Sequence, residues 1–332
     1  MTPSTPAVSI VVPTFNRWAS LERLLRALEE QTYPSDRFEV LVVDDGSTDG
    51  TPEKLRKLAS KYALRVLEQT HQGPAAARNL GVAHAAGGLV VFLDDDVVPV
   101  RDLIHVHVAT HESHHAAALV VIGPMSPPRD APRSAWVRWE EDKLERQYSA
   151  MQSGQWGCTW RQFYTANSSV RRALFTRSGG FDVAFKRAED VELGYRLRDL
   201  GAQFVFTREA DVLHYASRTF RAWCSAPYQY GRYDVIMSRE KGHEALTLAF
   251  AEFRWRHPAS QALARLLTGR RLLTRAVLAA CGVAARGAGR CGMHRGASPL
   301  LSVIFNVLYW QGVCDELGGR EVLWRTAAAS SR

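Results

Sequence analysis

The sequence predicts an α/β protein in which flanking helices cover a mostly parallel central sheet, with a helical region at the C-terminal end. Short apolar runs without polar alternation recur through the first 125 residues, and segments of helical periodicity separate them. Such runs are typical of parallel strands that are buried on both faces of a sheet. With 332 residues, of which 46% are hydrophobic, the chain is long enough for two compact lobes or for one large domain with an appendage.

The strand and helix signals alternate in the order that a parallel sheet requires. Leucines recur at helical spacing after the first run, and Thr51-Pro52 marks the start of a second helix. Gly73-Pro74 precedes an alanine-rich helix that Gly87-Gly88 ends. The predicted apolar face of the second helix is Leu55, Leu58, Ala59 and Tyr62. The predicted strands are residues 8–12, 40–43, 65–67, 89–93 and 118–122.

The character of the sequence changes after residue 125. Residues 135–165 are rich in tryptophan and charge without a regular period, and a helix at 190–200 and a strand at 203–206 follow. Beyond residue 243 the pattern is helical, with glycine breaks near 282–296. Its most apolar stretch, 299–310, is shorter than the roughly 20 residues that a membrane span needs. These changes predict three parts, residues 1–125, 126–242 and 243–332.

Positive charge is concentrated in the last of these parts. Residues 1–242 hold 30 Lys and Arg against 29 Asp and Glu, whereas residues 243–332 hold 12 against 5. Nine arginines and no acidic residue lie between Glu252 and Asp315. This basic segment is either a solvated helical face or a surface for anionic lipid or an anionic acceptor. No nucleic-acid-binding motif accompanies it, so we expect no nucleic-acid partner.

Cysteine use and the N-terminus bear on the compartment. The five cysteines form no CxxC pair and no metal-finger spacing, and no basic region followed by an apolar stretch opens the sequence. An odd number of cysteines without a secretory leader favours a reducing compartment. We expect a cytoplasmic protein, peripheral at the membrane if the basic segment contacts lipid.

Two acidic clusters follow directly after predicted strands. Asp44-Asp45 ends the second strand, and Asp94–Asp96 ends the fourth. Parallel α/β sheets bind ligands beyond the carboxyl ends of their strands. Carboxylates hold a phosphorylated ligand through a divalent cation, because Mg²⁺ and Mn²⁺ bind one or two carboxylates together with phosphate oxygens. Neither GxGxxG nor GxxxxGK[ST] occurs, which argues against a dinucleotide-binding Rossmann enzyme and a P-loop NTPase.

A family resemblance rests on six motifs in one order. VSIVVPTFNR, VLVVDDGSTDGT, GPAAARNLG and VVFLDDDV resemble the nucleotide-sugar half of family 2 glycosyltransferases, and GGFD and AEDVELGYRL resemble the acceptor half. The resemblance covers residues 7–215. It implies a GT-A-type fold, a requirement for Mn²⁺ or Mg²⁺, and transfer of a sugar from a nucleoside diphosphate with inversion.

The resemblance also implies the residues that bind the donor. Pro13 and Thr14 lie where the first strand opens onto the nucleoside. Asp45, beside Asp44, matches the position that accepts hydrogen bonds from the base. Arg78 is suited to the diphosphate or the base edge, and the alternative is an ordinary surface arginine on a helix.

The implied metal site lies in the second acidic cluster. Asp94 and Asp96 match the outer acids of the DxD motif, with Asp96 contacting the metal and Asp94 contacting the ribose or the metal. The middle residue, Asp95, is grouped with the donor site, and its side chain should point the other way if strand geometry persists. His214 is either a further metal ligand, which would suit Mn²⁺ better than Mg²⁺, or a structural histidine.

The catalytic base is expected in AEDVEL. Asp190 matches the general base of the family, which removes the proton of the acceptor hydroxyl, and Glu189 orients the acceptor or tunes Asp190. The alternative is that these acids belong to the first turn of a helix, where the helix dipole favours them.

Acceptor binding is predicted for Asn167 and for an aromatic group that includes Trp160. Trp156, Phe163 and Tyr164 accompany Trp160, and core packing is the alternative role for this group. The histidines of the run at 105–115 are expected on a solvent face. No QxxRW motif occurs, so we expect one sugar per encounter rather than polymerisation.

The leading hypothesis is therefore a metal-dependent inverting glycosyltransferase that uses a UDP-sugar. Residues 1–125 form the nucleotide-sugar-binding half, 126–242 the acceptor-binding and catalytic-base half, and 243–332 the basic helical region. The acceptor is a hydroxyl of a glycan, a lipid-linked sugar or a small molecule. The alternatives are a nucleotidyltransferase that makes a nucleotide sugar and a non-catalytic protein that binds membranes or polyanions.

Overall fold

The computed structural model describes residues 7–114, 116, 118–290 and 294–330. His115, one residue of the histidine run, lies outside them. The chain divides into two compact units: the first comprises Met1–Ala131 and Lys143–Ala216, and the second comprises Pro132–Asp142 and Ser217–Arg332. The three-part division of the sequence concerns function, and it stays a prediction.

The first unit alternates strands with helices along most of its length. Its strands are β1 (Val8–Thr14), β2 (Phe38–Asp44), β3 (Ala63–Glu68), β4 (Leu89–Leu93), β5 (Val97–Pro99), β6 (Leu119–Ile122), β7 (Met125–Ser126), β8 (Asn167–Arg171), β9 (Gln203–Phe206) and β10 (Val212–His214). Its helices are α1 (Trp18–Leu28), α2 (Thr51–Lys57), α3 (Pro74–His84), α4 (Leu103–Ser113), α6 (Arg172–Arg177) and α7 (Glu189–Asp199). Helix α5 (Ala135–Gln152) begins in the second unit and ends in the first.

The main sheet has the order β3-β2-β1-β4-β8-β6-β9. β3, β2, β1 and β4 are parallel to one another, and so are β6 and β9, whereas β8 is antiparallel to both of its neighbours. Side chains of β1 alternate between two apolar cores, with Ile10 and Val12 in one core and Val11 in the other. The sheet is therefore covered on both faces, as the uninterrupted apolar runs predict.

A small second sheet, β5-β10-β7, adjoins the end of β4 in sequence. β10 pairs antiparallel with β5, with His214 opposite Val97, and the Tyr215 backbone N–H donates to the Asp96 carbonyl at 2.9 Å. This pairing brings a late segment of the chain beside the acidic cluster.

The second unit is helical in its described residues. Its helices are α8 (Phe220–Glu240), α9 (Ala245–Trp255), α10 (Pro258–Leu267), α11 (Arg271–Arg290), α12 (His294–Glu316) and α13 (Arg320–Ala329). One core forms around Trp310, Phe250 and Phe253, and another around Trp223 and Trp139.

Residues 135–152, for which the sequence predicted no element, form one helix. Two local predictions are wrong. α2 ends at Lys57, and Tyr62 instead packs against Phe38 and donates its hydroxyl to the Leu25 carbonyl. The glycine breaks expected near 282–296 do not occur at Gly282 and Gly287, because α11 continues through both, since helical packing tolerates the weak propensity of glycine. Residues 291–293 of that stretch lie outside the described residues.

The apolar stretch 299–310 is also longer than expected. It is the middle of α12, a helix of 23 residues. Among the described residues, α11 and α12 are long and apolar enough to cross a membrane by length and composition alone. Half of the apolar stretch of α12, Gly296–Glu316, is buried inside the protein. Core helices of soluble proteins meet the same criterion, so length does not decide the matter.

Candidate active site

Three strand ends meet at the carboxyl edge of the main sheet. β1 lies between β2 and β4, so Thr14, Asp44 and the segment after Leu93 come together. The structure thus brings the two predicted acidic clusters to one edge, with Pro13 on the strand beside Val43. The cause is topological, because neighbouring parallel strands all present their carboxyl ends on the same side.

Asp45 is held by a loop that follows β3. Its carboxylate accepts hydrogen bonds from the Gln69 side chain at 2.6 Å and from the backbone N–H groups of Gln72 and Gly73, both at 2.8 Å. The His71 ring nitrogen lies 2.8 Å from the same carboxylate. Asp45 therefore fixes the shape of this loop, and its role in binding the base stays a prediction.

Asp95 is the inward member of the acidic triplet. The Thr14 hydroxyl donates to its carboxylate at 2.8 Å, and Arg17 contacts Asp95 at 3.2 Å and Asp96 at 3.0 Å. The Asp95 side chain is 7% exposed, whereas that of Asp94 is 34% exposed. Burial raises the pKa of Asp95 to about 6, even though Arg17 and Thr14 act to lower it. Asp95 thus fastens the triplet to β1.

Arg78 lies on α3 and is 4% exposed, so it is not an ordinary surface arginine. Its guanidinium donates to Asp94 at 2.7 Å and to Glu189 at 3.1 Å, and it lies over the Phe181 ring. In this arrangement the donors of Arg78 are directed at two carboxylates. The residue joins the donor motif to the motif that carries the expected base, across 111 positions of sequence.

Asp190 occupies the first turn of α7, as does Glu189. Ala188, immediately before them, has a φ of 58°, which is an uncommon conformation for a non-glycine residue and sets the direction in which the helix begins. Burial and the adjacent charge of Glu189 raise the pKa of Asp190 to about 7, although Arg78 acts to lower it. Glu192, by contrast, is fully buried and paired with Arg196.

A carboxylate and an imidazole lie together beside the triplet. His214 Nε2 is 3.5 Å from Asp96 Oδ1, and both side chains are partly exposed, at 18% and 16%. In the part of the chain that the structure describes, no group of three or more His, Cys, Asp or Glu side chains has metal-holding geometry. Two protein ligands nevertheless fit a cation whose other ligands are phosphate oxygens and water. Asp94 faces Arg78 rather than this pair.

Asn167 is 1% exposed and lies inside the protein. Its amide nitrogen donates to the backbone carbonyls of Pro124 and Ala210, at 2.8 and 2.7 Å, and its oxygen is 3.1 Å from His107. As placed, its polar atoms are all engaged within the fold. The structure therefore gives Asn167 a structural position, and direct contact with an acceptor would require these bonds to break.

Trp160 packs against the helix that carries Asp190. Its ring is 5.6 Å from the Tyr195 ring, and Arg198 lies over it at 4.5 Å. Within its aromatic group, Phe163 is fully buried and Trp156 is 55% exposed. Core packing thus accounts for Phe163 and for much of Trp160, while an acceptor role for Trp160 stays a prediction.

The expectation that the histidine run faces solvent is wrong for two of its members. His107 is fully buried and His111 is 3% exposed, and both rings lie 2.9 Å from the Ser169 hydroxyl. Burial lowers the pKa of His107 to about 4 and that of His111 to about 3. These are neutral core histidines that join α4 to β8.

Several site residues were not predicted from the sequence. Arg17, next to the first strand in VPTFNR, pairs with the acidic triplet, and Gln69 and Gln72 hold Asp45. Phe15 is 38% exposed and stacks on His71 with ring centroids 4.2 Å apart. The position of Arg17 in a motif that ends at the carboxyl edge is a signal that could have revealed it.

The parallel sheet, the acidic carboxyl edge and the antiparallel β8 define the GT-A class of fold. A family model described as Glycosyl transferase family 2 matches residues 9–179 of the 332. The chain belongs to glycosyltransferase family 2, whose members are nucleotide-sugar-dependent transferases. Both the predicted fold and the family resemblance are confirmed, and the family favours the transferase hypothesis over the nucleotidyltransferase and non-catalytic alternatives.

Two relatives and two solved structures illustrate the similarity. Validoxylamine A glucosyltransferase of Streptomyces hygroscopicus is 34% identical over 234 residues, which are 63% of this chain and 55% of that protein. Pre-mycofactocin glycosyltransferase of Mycobacterium tuberculosis is 30% identical over 240 residues, 69% of this chain and 47% of that protein. The matches thus span about half the length of these relatives.

The solved structures extend the likeness to the fold. Staphylococcus aureus TarS 1-349 in complex with UDP-GlcNAc has a TM-score of 0.52 and 25% identity, covering 70% of this chain and 66% of that one. The mannosyltransferase PcManGT from Pyrobaculum calidifontis, in complex with GDP-Man and Mn²⁺, has a TM-score of 0.58 and 24% identity, covering 93% and 88%. The latter likeness concerns the fold alone.

Proposed function

We propose that this protein transfers a single sugar from a UDP-sugar to an acceptor hydroxyl, with inversion at the anomeric carbon and with Asp190 as the general base. The observation that carries the proposal is the position of Arg78. Its guanidinium contacts Asp94 of the donor motif and Glu189 of the base motif at the same time. The contact of one side chain with both motifs supports a site in which the donor and the base act together.

The donor fits the carboxyl edge. Thr14, Asp45 and the stacked rings of Phe15 and His71 lie at the ends of β1 and β2 or in the loop that Asp45 holds. An exposed aromatic ring beside a hydrogen-bonding carboxylate suits a flat heterocyclic base. The complex of TarS with UDP-GlcNAc supports a uridine nucleotide, since that relative shares the family fold at 25% identity.

Asp96 and His214 would hold the divalent cation. Their separation of 3.5 Å and partial exposure leave room for a shared ion and for oxygens of the diphosphate. When bound, the cation supplies positive charge that offsets the charge developing on the leaving diphosphate. An imidazole ligand beside a carboxylate favours Mn²⁺ over Mg²⁺.

Asp190 supplies the base. As the acceptor oxygen forms its bond to the anomeric carbon, the bond from that carbon to the diphosphate oxygen breaks and the hydroxyl proton moves to the Asp190 carboxylate. A pKa of about 7 suits this exchange at neutral pH, because the group is ionised yet basic enough to take a proton. Burial raises that pKa most, and the charge of Glu189, which Arg78 contacts, raises it further.

Thermal stabilisation by donors is the first test. Wild-type protein should show a rise in Tm with UDP-sugars and Mn²⁺ that exceeds the rise with GDP- or dTDP-sugars, and chelation should abolish it. Binding stabilises the folded state in proportion to the logarithm of ligand concentration over Kd, so each donor can be ranked. Release of UDP in the presence of candidate acceptors then measures transfer.

The variant Asp96→Asn separates the metal from the nucleotide. We expect it to raise the Mn²⁺ concentration needed for half-maximal stabilisation by about 10-fold or more, since one charged ligand is lost. Asp102→Asn, which removes a carboxylate near the start of α4, is the matched control. Donor stabilisation that survives chelation, or that is equal for all nucleotides, would contradict the metal and the UDP assignments respectively.

A further inference from the structure

Helix α11 exposes an apolar stripe. Leu272 is 82% exposed, Leu273 is 43% exposed and Val283 is 64% exposed. Ala276, Ala279 and Ala280 are exposed between them, at the spacing that places side chains on one side of a helix. Only 17% of the apolar stretch of this helix, Arg271–Gly289, is buried inside the protein. A soluble protein rarely leaves so continuous an apolar surface uncovered without a use for it.

Arginines flank this stripe. Arg270, Arg271 and Arg275 are exposed at the start of α11, and Arg286, which lies over the Phe220 ring, follows near its end. No acidic residue occurs from 253 to 314, so this segment is strongly cationic, although Arg271 lies 3.7 Å from Asp315 of α12. Cationic side chains beside exposed Leu and Val are typical of helices that bind anionic lipid surfaces.

The positions of the charges indicate how such a helix would lie. The uncharged run between Arg275 and Arg286 is residues 276–285, about half of the roughly 20 residues that a span requires. Placing either arginine within the hydrocarbon core is costly. The apolar stripe, by contrast, runs along the side of the helix, where it can enter a bilayer surface while the arginines remain among the headgroups.

We propose that α11 binds an anionic bilayer surface and lies in its plane, with Leu272, Leu273 and Val283 entering the acyl boundary. The charge complementarity argues for anionic lipid, and the exposed stripe argues against a purely polyanionic partner such as nucleic acid. This inference goes beyond the proposed sugar transfer and does not depend on it, since α11 needs no donor, cation or acceptor to bind a bilayer.

Co-sedimentation of the full chain with vesicles tests the proposal. The protein should pellet with phosphatidylcholine vesicles that contain about one-third phosphatidylglycerol and should remain in solution with phosphatidylcholine alone, because the anionic surface attracts the arginines. High salt should weaken the binding by screening. Alkaline carbonate should release the protein, as expected for an in-plane helix.

Two double variants divide the contributions of charge and apolar contact. Arg270→Gln with Arg275→Gln should weaken binding to anionic vesicles by roughly 10-fold or more, since each arginine contributes to surface attraction. Leu272→Ser with Val283→Ser should weaken it by a similar factor through lost apolar insertion. The matched controls, Arg325→Gln and Val322→Ser on α13, are exposed positions outside the stripe and should bind as wild type. Circular dichroism and Tm verify that every variant is folded.

Each contrary outcome overturns the proposal. The proposal is contradicted if the wild type does not pellet with anionic vesicles. It is also contradicted if both double variants bind as strongly as the wild type. Binding that depends on the arginines but not on Leu272 and Val283, and that double-stranded DNA reproduces, identifies a polyanion surface. Retention in the membrane after carbonate treatment identifies a spanning helix.

Discussion

Two clusters of polar side chains in the first unit invite comparison. One lies at the carboxyl edge of the sheet, where Arg78 joins Asp94 to Glu189. The other lies on a face of the sheet, where Asn167 and Ser169 contact His107. The first cluster is charged and partly exposed, whereas the second is neutral and fully buried.

The difference teaches how to separate a functional cluster from a structural one. In the neutral cluster Asn167 is bonded within the fold, so a substrate would find no free group on it. In the charged cluster, burial and a neighbouring carboxylate hold the pKa of Asp190 near neutrality, and charged groups remain accessible to solvent. Arg78 and Asn167 are both buried, so burial alone does not distinguish the two clusters.

The largest expected effect comes from substituting Asp190, the proposed general base in the charged cluster. Asp190→Asn should lower kcat for sugar transfer by about 100-fold or more, since an amide cannot accept the acceptor proton. Donor binding, measured as the Tm rise with UDP-sugar and Mn²⁺, should remain. The Tm of the variant without ligand should not fall, because a buried carboxylate with a raised pKa opposes folding when it ionises.

Asp199→Asn, at the other end of α7, is the control for that substitution. Asp199 is exposed and pairs with the adjacent Arg198, so its loss should leave kcat unchanged. Near-normal transfer by Asp190→Asn would remove Asp190 from the role of base and with it the functional contrast between the clusters.

Removal of the bridge should affect both stability and donor binding. Arg78→Gln leaves the charges of Asp94 and Glu189 without their cation, and we expect the free energy of unfolding to fall by about 3 kcal/mol. Donor affinity should fall as well, since Asp94 is no longer held. Chemical denaturation and donor titration measure the two effects.

Arg26→Gln provides the matched comparison for the bridge. Arg26 pairs with Glu22 on the surface of α1, with its side chain 75% exposed, and its loss should change stability much less than the loss of Arg78, because solvent screens the pair. Equal effects of the two substitutions would mean that the contacts of Arg78 with Asp94 and Glu189 contribute no more to stability than a surface ion pair.

The pH dependence of the rate offers a smaller and sharper test. Because the proposed base, Asp190, accepts a proton only when ionised and burial raises its pKa to about 7, kcat/KM should rise as pH increases through about 7 and then level off. Glu189→Gln removes a negative neighbour, so the pKa of Asp190 should fall and the midpoint should move to lower pH. A midpoint that does not move would assign the ionisation to another group.

His107 and His111 should not contribute to this profile. Burial keeps their pKa values at about 4 and 3, so both stay neutral over the range in which Asp190 titrates. The contrast between the clusters is thus visible in one titration, since one ionises near neutrality and the other does not.

The sequence predicted the location of the charged cluster but not its pairings. Strand periodicity and strand-end acids indicated the carboxyl edge, and the motifs indicated Asp190. The contact of Arg17 with Asp95 spans 78 positions and exists because β1 lies beside β4, an order that a pattern of parallel strands leaves open. Likewise, the hydrogen bonds from the 69–73 loop to Asp45 depend on the pairing of β3 with β2.

Burial was the other quantity that the sequence did not determine. Asn167 lies in an NSS triplet, and polar residues of this kind are mostly exposed in proteins, yet β8 is a central strand between β4 and β6. The polar face of β8 is then covered by α4, whose histidines supply its hydrogen-bond partners. Neither fact is visible before the sheet order is known.

The smallest expected effect on activity tests the neutral cluster. Asn167→Ala removes the donors to the Pro124 and Ala210 carbonyls, and we expect a loss of about 2 kcal/mol in the free energy of unfolding, since buried acceptors are left unpaired. The acceptor KM should stay within about two-fold of wild type, because the polar atoms of the side chain are engaged within the fold. Asn306→Ala in α12 is the control, since it removes a single bond to the Ser302 carbonyl and should cost less than Asn167→Ala. A raised acceptor KM with unchanged stability would return Asn167 to the acceptor site and would show that the neutral cluster also serves the substrate.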